Sequence, residues 1–340
     1  MSRSIITRSI GRRRFLAAGA ATVAIPFIAR PSLAAGKVIR MSTPGSPEEW
    51  QSKAFEEFKK ELNAAAPGAF DVQTFYNGTL FAQGTEIEAM QRGNLEVGMI
   101  SPQDIANLIP EYSIFTTGYL MRSPQHLDAV YDGDIGKEYA ANVSSNVDIH
   151  IVRSQYLGTR HVILRQPREV KTPADMHGLK LRMPGSETWQ FLGNALGAHA
   201  TPLAFEEVYL AMQTGTIDGL ENPLPDAEAA KFYEVSKQVV LTGHMVSNTF
   251  FAIANKFWNG LSADEQKAIE AAEAKAKAFN DAGVVKTEAD AKGFFEGKGV
   301  KVTTPDVAAF RDHVQKAFLD SKYAASWPKG MLDRINKAGG

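Results

Sequence analysis

Residues 38–78 of this 340-residue chain, VIRMSTPGSPEEWQSKAFEEFKKELNAAAPGAFDVQTFYNG, contain the pattern that indicates the fold. The β-branched run 38–42 predicts a strand, and apolar residues that recur about every four positions predict a helix over 47–62. The run 71–76 predicts a second strand, which an Asn-Gly turn follows. A strand, a helix and a strand in this order are typical of a βαβ unit with parallel strands.

The same alternation continues along the chain. A short helix over 85–93 and a buried strand over 95–100 follow the first unit, and strands and helices alternate again after residue 149. We therefore predict an α/β protein with a mostly parallel sheet. The later predicted strands are 149–157, 179–183, 215–220 and 247–254, and the later predicted helices are 186–196 and 205–214.

Residues 262–295 form a charged, alanine-rich segment with a helical period. Its length exceeds the usual 8–20 residues of a globular helix. We expect either two helices broken near Gly283 or one long helix that braces two domains. The chain length favours two domains, because single hydrophobic cores stop growing at roughly 250–300 residues. Since no low-complexity linker separates two halves, we expect two α/β units that interweave.

Composition excludes several classes of protein. Hydrophobic residues make up 44% of the chain and charged residues 22%, which are ordinary globular proportions. The first 34 residues hold six arginines and no acid, so 31 basic and 38 acidic residues remain, and the rest of the chain carries a net charge of −7. Such a surface is unsuited to nucleic acid. The absence of cysteine excludes disulfides, thiolate nucleophiles and iron–sulfur clusters.

Residues 1–34 have the pattern of a cleaved export signal. Arg12-Arg13-Arg14 precedes an almost wholly apolar stretch over 15–29, and Ser32-Leu33-Ala34 predicts cleavage after about Ala34. The Arg-Arg-x-Phe-Leu run resembles a twin-arginine (Tat) signal, and an arginine-rich general secretory signal is the alternative. The apolar stretch is shorter than the roughly 20 residues of a membrane span. We expect an exported, periplasmic protein that does not itself span the membrane.

Known catalytic and metal-binding motifs are missing from the sequence. It has no G-x-S-x-G, no H-E-x-x-H, no Walker loop and no G-x-G-x-x-G after a strand. Its seven histidines never fall four residues apart, so no helical metal pair is predicted. We expect no catalytic residue, no cofactor and no metal.

Two segments have the character of a ligand site. Arg182 lies in the apolar run Leu-Lys-Leu-Arg-Met, where its planar guanidinium must be paired, either with a ligand carboxylate or with an Asp or Glu of the chain. Asn222 precedes Pro223 just past a predicted strand, at the position where open α/β sheets bind ligands. Plain turn chemistry is the alternative for Asn222.

The order of four motifs resembles the DctP-type solute receptors of TRAP (tripartite ATP-independent periplasmic) transporters. The resemblance runs across nearly all the chain after residue 35 and is densest over 158–244. It implies two α/β lobes, crossing strands and a long bracing helix, which close on an organic acid like a clamp. The motifs are GTR at 158–160, TPADMHGLKLR at 172–182, AFEEVYLAMQTGTIDGLENP at 204–223 and KFYEVSKQVVLTGH at 231–244.

The resemblance also implies domain boundaries and site residues. The first lobe would comprise residues 35–155 with about 248–290, and the second 156–247 with about 291–340. Arg182 would pair with the ligand carboxylate, Arg160 would support it and Asn222 would bond to it. Phe205 would form an aromatic wall, His244 would lie near the rim, and Trp189 would stack on the ligand or belong to the core.

The chain departs from the family pattern in its first lobe. Gly78–Gly84 replaces the usual Gln-Leu-Gly turn, and Phe115–Leu120 replaces the usual Leu-Pro-Phe run. We expect Phe81, Phe115 and Tyr119 to make the far end of the pocket more apolar. The ligand is left open among short dicarboxylates, hydroxy or keto acids, sugar acids and aromatic acids.

Three functions are compatible with the sequence. The first is a TRAP receptor that delivers an organic acid to the small and large integral-membrane subunits of a permease. A Tat-exported periplasmic enzyme is the second, and it would require a cofactor motif, which the sequence lacks. The third is a binding protein of an ATP-driven or sensor system with the same clamp.

Overall fold

The computed structural model describes residues 36–339, and the predicted export signal lies outside them. The strands of the described chain form one mixed sheet. Their bounds are β1 Lys37–Ser42, β2 Phe70–Phe75, β3 Val97–Ile100, β4 Ile149–Leu164, β5 Lys180–Met183, β6 His199–Pro202, β7 Gly219–Pro223, β8 Gln238–Ala254 and β9 Lys301–Thr303.

The sheet consists of two parallel halves joined by two long antiparallel strands. The strand order is β2-β1-β3-β8-β4-β7-β5-β6, with β9 paired to β8. The strands β1, β2 and β3 are mutually parallel, as are β5, β6 and β7. Both β3 and β7 pair antiparallel with the long strands. The sheet is therefore less parallel than the sequence predicts, because the strands that cross between the halves run against their neighbours.

The long strands β4 and β8 carry the chain between the halves. They have 16 and 17 residues, so each spans roughly 50 Å at about 3.3 Å per residue. Their pairing is interrupted between Tyr156 and Gly158. Gly158 has φ +125°, and a Cβ there would lie 2.7 Å from the Pro223 Cβ. Only glycine fits this irregularity, which lies where the strands leave one half for the other.

Helices cover both faces of the sheet. Their bounds are α1 Trp50–Ala65, α2 Glu86–Gln91, α3 Pro102–Leu108, α4 Pro124–Tyr131, α5 Asp134–Val147, α6 Glu187–Ala195, α7 Val208–Thr214, α8 Leu224–Ala229, α9 Asn255–Asn259, α10 Ala263–Gly297, α11 Val307–Leu319 and α12 Met331–Lys337.

Each half of the sheet has an apolar cluster on either face. In the first half, Phe250 and Ala252 of β8 pack in one cluster and Phe251 packs in the other, as the alternation of side chains along a strand requires. In the second half, the neighbouring residues Val162 and Ile163 of β4 likewise pack in two different clusters, one on each face of the sheet. These four cores give the two-lobed architecture that the sequence predicts.

The last helix packs in the first half. Met331 and Ile335 of α12 belong to the same cluster as Leu127 of α4. The predicted boundaries place residues 291–340 in the second lobe, so this helix differs from them. Its contacts are long-range, which explains why the local pattern of the sequence does not predict them.

The helix α10 is one unbroken helix of 35 residues. At 1.5 Å per residue it is about 52 Å long, which is comparable to the crossing strands. Gly283, at which the sequence allows a break, lies inside the helix against Trp50 of α1. A Cβ at Gly283 would stand 2.2 Å from an atom of the indole ring. The glycine therefore provides a close approach between two helices, and the bracing alternative is the correct one.

Substitution of alanine for two different glycines of α10 should have opposite effects on the free energy of unfolding. Gly283→Ala should lower the free energy of unfolding by about 1–3 kcal/mol, because its methyl group collides with Trp50. Gly293→Ala is the matched control, since Gly293 has nothing within 4 Å of an added Cβ and should gain roughly 0.5–1 kcal/mol of helix propensity. Urea denaturation of both variants measures the difference. Equal stability of the two would contradict the tight contact.

Candidate binding site

A cleft lies between the two halves of the sheet, where the parallel strands of both halves end. It contains about 700 Å³ of space not filled by atoms, part of it open to solvent. The first half contributes the segments that follow β1, β2 and β3, and the second half contributes β5 and β7. The charged and amide side chains that line the cleft are Glu49, Gln51, Gln83, Glu86, Asp104, Arg160, Arg182, Asn222, Asp226 and Asn248.

Arg182 lies in β5 with its side chain 1% exposed. Its Nε donates to the Leu203 carbonyl at 2.8 Å, and its Nη2 donates across the cleft to Gln83 Oε1 at 2.6 Å. Within residues 36–339, no carboxylate forms an ion pair with Arg182 and no acceptor contacts its Nη1. Burial lowers the pKa of Arg182 to about 9, while the more distant Glu221 raises it. A buried cation without an ion-pair partner favours an anionic ligand.

Arg160, by contrast, has its partner inside the protein. Its guanidinium binds both carboxylate oxygens of Glu221, and its Nη2 also donates to Asn222 Oδ1 at 3.2 Å. Glu221 further accepts from His244 Nε2 at 3.0 Å, and His244 Nδ1 lies 2.8 Å from the Thr242 hydroxyl. The pairing with a protein carboxylate, which the sequence left open for Arg182, therefore occurs at Arg160.

The charges of this buried cluster follow from its contacts. Burial acts to raise the pKa of Glu221, but the charge of Arg160 and the hydrogen bonds from His244 and Arg160 outweigh it and lower the pKa to about 2. Burial lowers the pKa of His244, although Glu221 opposes that shift. A neutral His244 that donates Nε2–H to an ionised Glu221 satisfies both groups.

Two amide groups in the cleft wall have no partner for their NH₂ groups. Asn222 Nδ2 and Asn248 Nδ2 are buried and lack a hydrogen bond within the described residues. Asn222 stands in β7 beside Arg160, and Asn248 stands in β8 near the crossing point. A buried donor without an acceptor is costly, so both amides are suited to acceptors that a ligand brings.

Two aromatic rings flank the arginines. The ring centroid of Trp189 lies 4.6 Å from the guanidinium carbon of Arg160, and the ring centroid of Phe205 lies 5.7 Å from the guanidinium carbon of Arg182. Both rings line the cleft. The Trp189 ring faces the cation of Arg160, which is a favourable arrangement for indole.

Several sequence predictions place residues wrongly. His244 is completely buried behind Arg160 and does not lie at the rim. Phe115 belongs to the core of the first half, and Phe81 packs against that core. Tyr119 packs against a core of the second half and donates to the Thr242 carbonyl. An aromatic residue in the sequence is equally suited to a pocket wall and to a core, so only the tertiary packing of Phe81, Phe115 and Tyr119 distinguishes the two roles.

Carboxyl groups line the cleft where the sequence predicts apolar rings: Glu49, Glu86 and Asp104 on the first half of the sheet, and Asp226 in α8, directly after β7 of the second half. We call Glu49, Glu86, Asp104 and Asp226 the acidic wall. No lysine, arginine or histidine nitrogen of residues 36–339 lies within 4 Å of their carboxylates. Burial, strengthened by Asp104, raises the pKa of Glu86 to about 8. Burial also raises the pKa of Asp226 to about 7, against the charge of Arg160, and that of Glu49, with Asp226 adding to the shift.

Because the carboxyl groups of the acidic wall have raised pKa values, we expect the free energy of unfolding to fall as the pH rises. Unfolded carboxyl groups ionise near pH 4, whereas Glu86 and Asp226 keep their protons to about pH 8 and 7 when folded. Between these limits the folded state binds more protons, so the free energy of unfolding decreases with pH. We expect the melting temperature of the ligand-free protein to be about 5 °C or more higher at pH 5 than at pH 8.

The variant Glu86→Gln tests that cause. It should flatten the pH dependence of the melting temperature, because it removes one of the titrating groups. Glu88→Gln, two residues on, is the control, since Glu88 is exposed and pairs with Arg92 at the surface. A pH profile that is unchanged in Glu86→Gln would contradict the assignment.

Neither a metal site nor a membrane span is found in the described residues. No group of three or more His, Asp or Glu side chains between residues 36 and 339 converges as metal ligands would. Over the same residues, no helix combines the length and apolar character that a bilayer crossing requires.

Comparison with known proteins gives a consistent result. The sequence matches the family model of bacterial extracellular solute-binding protein, family 7 (DctP), over residues 41–324. A solute-binding protein of Verminephrobacter eiseniae is 34% identical over 307 residues, which cover 90% of each chain.

Two solved structures carry ligands in the same fold. A TRAP periplasmic solute-binding protein of Roseobacter denitrificans with bound 3-deoxy-D-manno-oct-2-ulosonic acid is 42% identical and has a TM-score of 0.86. The similarity covers 89% of this chain and 100% of that one. A second protein of that organism, with bound L-galactonate, is 27% identical with a TM-score of 0.81, over 89% of this chain and 99% of that one.

Proposed function

This chain belongs to family 7 of the bacterial extracellular solute-binding proteins, the DctP family, and on that premise we propose that it captures a small organic acid through an Arg–Asn carboxylate clamp. The family consists of solute-binding receptors of TRAP transporters, so the chain is a receptor rather than an enzyme. The similar proteins of R. denitrificans bind a keto sugar acid and L-galactonate, both of which carry a carboxylate.

The observation that carries the proposal is the buried Arg182 without a carboxylate partner in the described chain. In the proposed complex, Nη1 and Nη2 of Arg182 donate to the ligand carboxylate, and Asn222 Nδ2 donates to one of its oxygens. Arg160, neutralised by Glu221, holds Asn222 in place through its hydrogen bond to Oδ1. Phe205 forms the wall beside Arg182, and Trp189 keeps Arg160 in position.

Delivery to a permease completes the proposal. The partners would be the small and large integral-membrane subunits of a TRAP transporter. The periplasm is the compartment in which the similar proteins work, and residues 1–34 would direct export, through the Tat route, with cleavage after about Ala34. Lobes with the predicted boundaries, apart from α12, would close over the ligand. Amber-codon crosslinking around the cleft would test contact with the permease.

A thermal-shift screen tests the binding function. The purified protein is unfolded, washed free of small molecules and refolded, and it is then heated with organic acids, sugar acids, aromatic acids and neutral controls. A ligand at 100 times its Kd should add about 2.7 kcal/mol of stability, which raises the melting temperature by a few degrees. A shift that is confined to carboxylates supports the clamp, and a shift with neutral compounds alone would contradict it.

The remaining alternative is a receptor with another membrane partner. A binding protein of an ATP-driven or sensor system would share the clamp but would not require a TRAP permease. Uptake assays with the neighbouring permease genes deleted one at a time distinguish the two. Loss of uptake on deletion of a TRAP permease supports the present proposal, and loss on deletion of an ATPase gene would overturn it.

A further inference from the structure

Charge is divided between the two sides of the cleft. Arg160, Arg182 and Asn222 all stand on the second half of the sheet. On the acidic wall, Glu49, Glu86 and Asp104 stand on the first half and face them across the cleft. A ligand whose carboxylate is held by Arg182 therefore directs its other end toward carboxyl groups.

The carboxyl groups of the acidic wall are incompletely bonded. Glu49 accepts from the Ser46 amide at 3.0 Å, Glu86 from the Gly84 amide at 2.7 Å, and Asp104 from the Ser101 hydroxyl at 2.6 Å. The carboxyl group of Asp226 accepts no hydrogen bond from any residue between 36 and 339. Three members, Glu49, Glu86 and Asp226, are each only 4% exposed. Buried acceptors of this kind are suited to hydrogen-bond donors that a ligand supplies.

Asn248 is an independent sign of the ligand's chemistry. It lines the same cleft, is 6% exposed, and its Nδ2 has no acceptor in the described chain. The site therefore needs ligand atoms that donate to carboxyl groups and ligand atoms that accept from an amide. A hydroxyl does both, whereas an ammonium only donates and a carboxylate only accepts.

We propose that the acidic wall and Asn248 form a second subsite that binds hydroxyl groups, so that the preferred ligand is a monocarboxylic acid with several hydroxyls. This inference rests on the proposed function, because Arg182 must hold the carboxylate for the rest of the ligand to reach the wall. A second carboxylate at the far end would be buried at a wall where no lysine, arginine or histidine nitrogen of residues 36–339 lies within 4 Å of the carboxyl groups. It would gain no ion pair there and would repel any ionised member of the wall, so it would be rejected. The subsite thus excludes the short dicarboxylates that the sequence left open.

Matched acids of equal length test the subsite. Isothermal titration calorimetry at pH 7.5 compares D-galactonate, galactarate, hexanoate and 6-aminohexanoate on the refolded protein, with the corresponding four- and five-carbon sets beside them. Galactonate and galactarate differ only in the terminal group, which is a hydroxymethyl or a carboxylate. We expect the hydroxylated monoacid of the best length to bind about 100-fold more tightly than its diacid, its deoxy analogue and its amino analogue.

Substitutions in the acidic wall test whether it causes the preference for a monoacid over a diacid. At pH 9 Glu86 is ionised, since its folded pKa is about 8, and Glu86→Gln should there narrow the ratio between monoacid and diacid affinity about tenfold, because it removes one repelling carboxylate. The exposed Glu88→Gln should leave the ratio unchanged. Should Glu86→Gln fail to fold, Glu49→Gln, at another buried member of the wall, makes the same test.

The outcomes separate this inference from the proposed function. A diacid that binds as tightly as the monoacid, with both dependent on Arg182, would overturn the subsite and leave the receptor function intact. Tight binding of 6-aminohexanoate would overturn the preference for hydroxyls and indicate an ammonium site. Failure of every carboxylate, in these sets and in the thermal-shift screen, would overturn both.

Discussion

Replacement of Arg182 by methionine should abolish high-affinity binding while it leaves the ligand-free fold intact. The Kd for the preferred acid should rise at least about 100-fold, since the carboxylate loses a desolvated, charge-assisted partner. The melting temperature of the ligand-free variant should equal or exceed that of the wild type. Arg182 is buried without an ion-pair partner in the described chain, so its removal relieves a desolvation cost, and methionine fills a similar volume.

Two further variants sharpen the Arg182 experiment. Arg182→Lys should bind at least about tenfold more weakly than the wild type, because a point charge cannot reproduce the planar fork that contacts Leu203 and Gln83. Arg168→Ala is the control, since Arg168 is exposed and its side chain forms one hydrogen bond within residues 36–339, to the His177 carbonyl. Calorimetry gives the affinities and thermal melts give the stabilities. Affinity within about threefold of the wild type in Arg182→Met would show that the clamp lies elsewhere.

Most helices and strands of the fold could be predicted from the sequence, because each one follows from the spacing of apolar residues within its own segment. The apolar spacing of α1 and the β-branched runs of β1 and β2 appear in the first forty residues after the export signal. The length of β8 could not be predicted, because its pairing changes from one half of the sheet to the other and no local pattern records that. The position of α12 depends on contacts almost two hundred residues away, such as that between Arg334 and Glu138.

Local sequence pattern points to a site residue only where the chemistry of that residue is unusual for its position in the chain. Arg182 stands out because a charge interrupts an apolar strand. The acidic wall does not, because each of its four members lies at the start of a helix, where acids are common for reasons of capping and helix dipole. One signal was available: these helices directly follow β1, β2, β3 and β7, and the carboxyl ends of parallel strands in α/β sheets are the usual place for ligands.

Glu221→Gln should destabilise the protein more than Gly283→Ala or Arg182→Met. Glu221 is fully buried and binds both Arg160 and His244. The amide preserves the shape but leaves the guanidinium as an uncompensated buried charge, which typically costs about 3–5 kcal/mol. Guanidinium denaturation should show this loss. The surface pair Arg334–Glu138 supplies the control, and Glu138→Gln should cost less than about 1 kcal/mol.

Acid titration of the same variant separates charge from packing. The pKa of Glu221 is about 2 in the folded state and near 4 in the unfolded state. Its stabilisation is therefore complete above about pH 4 and is lost as the pH falls toward 2. Glu221→Gln should lack this component of the acid transition. A double variant, Arg160→Met with Glu221→Leu, should recover part of the lost stability, because it removes both charges together. If the double variant is no more stable than Glu221→Gln, lost packing rather than an unpaired Arg160 explains the damage.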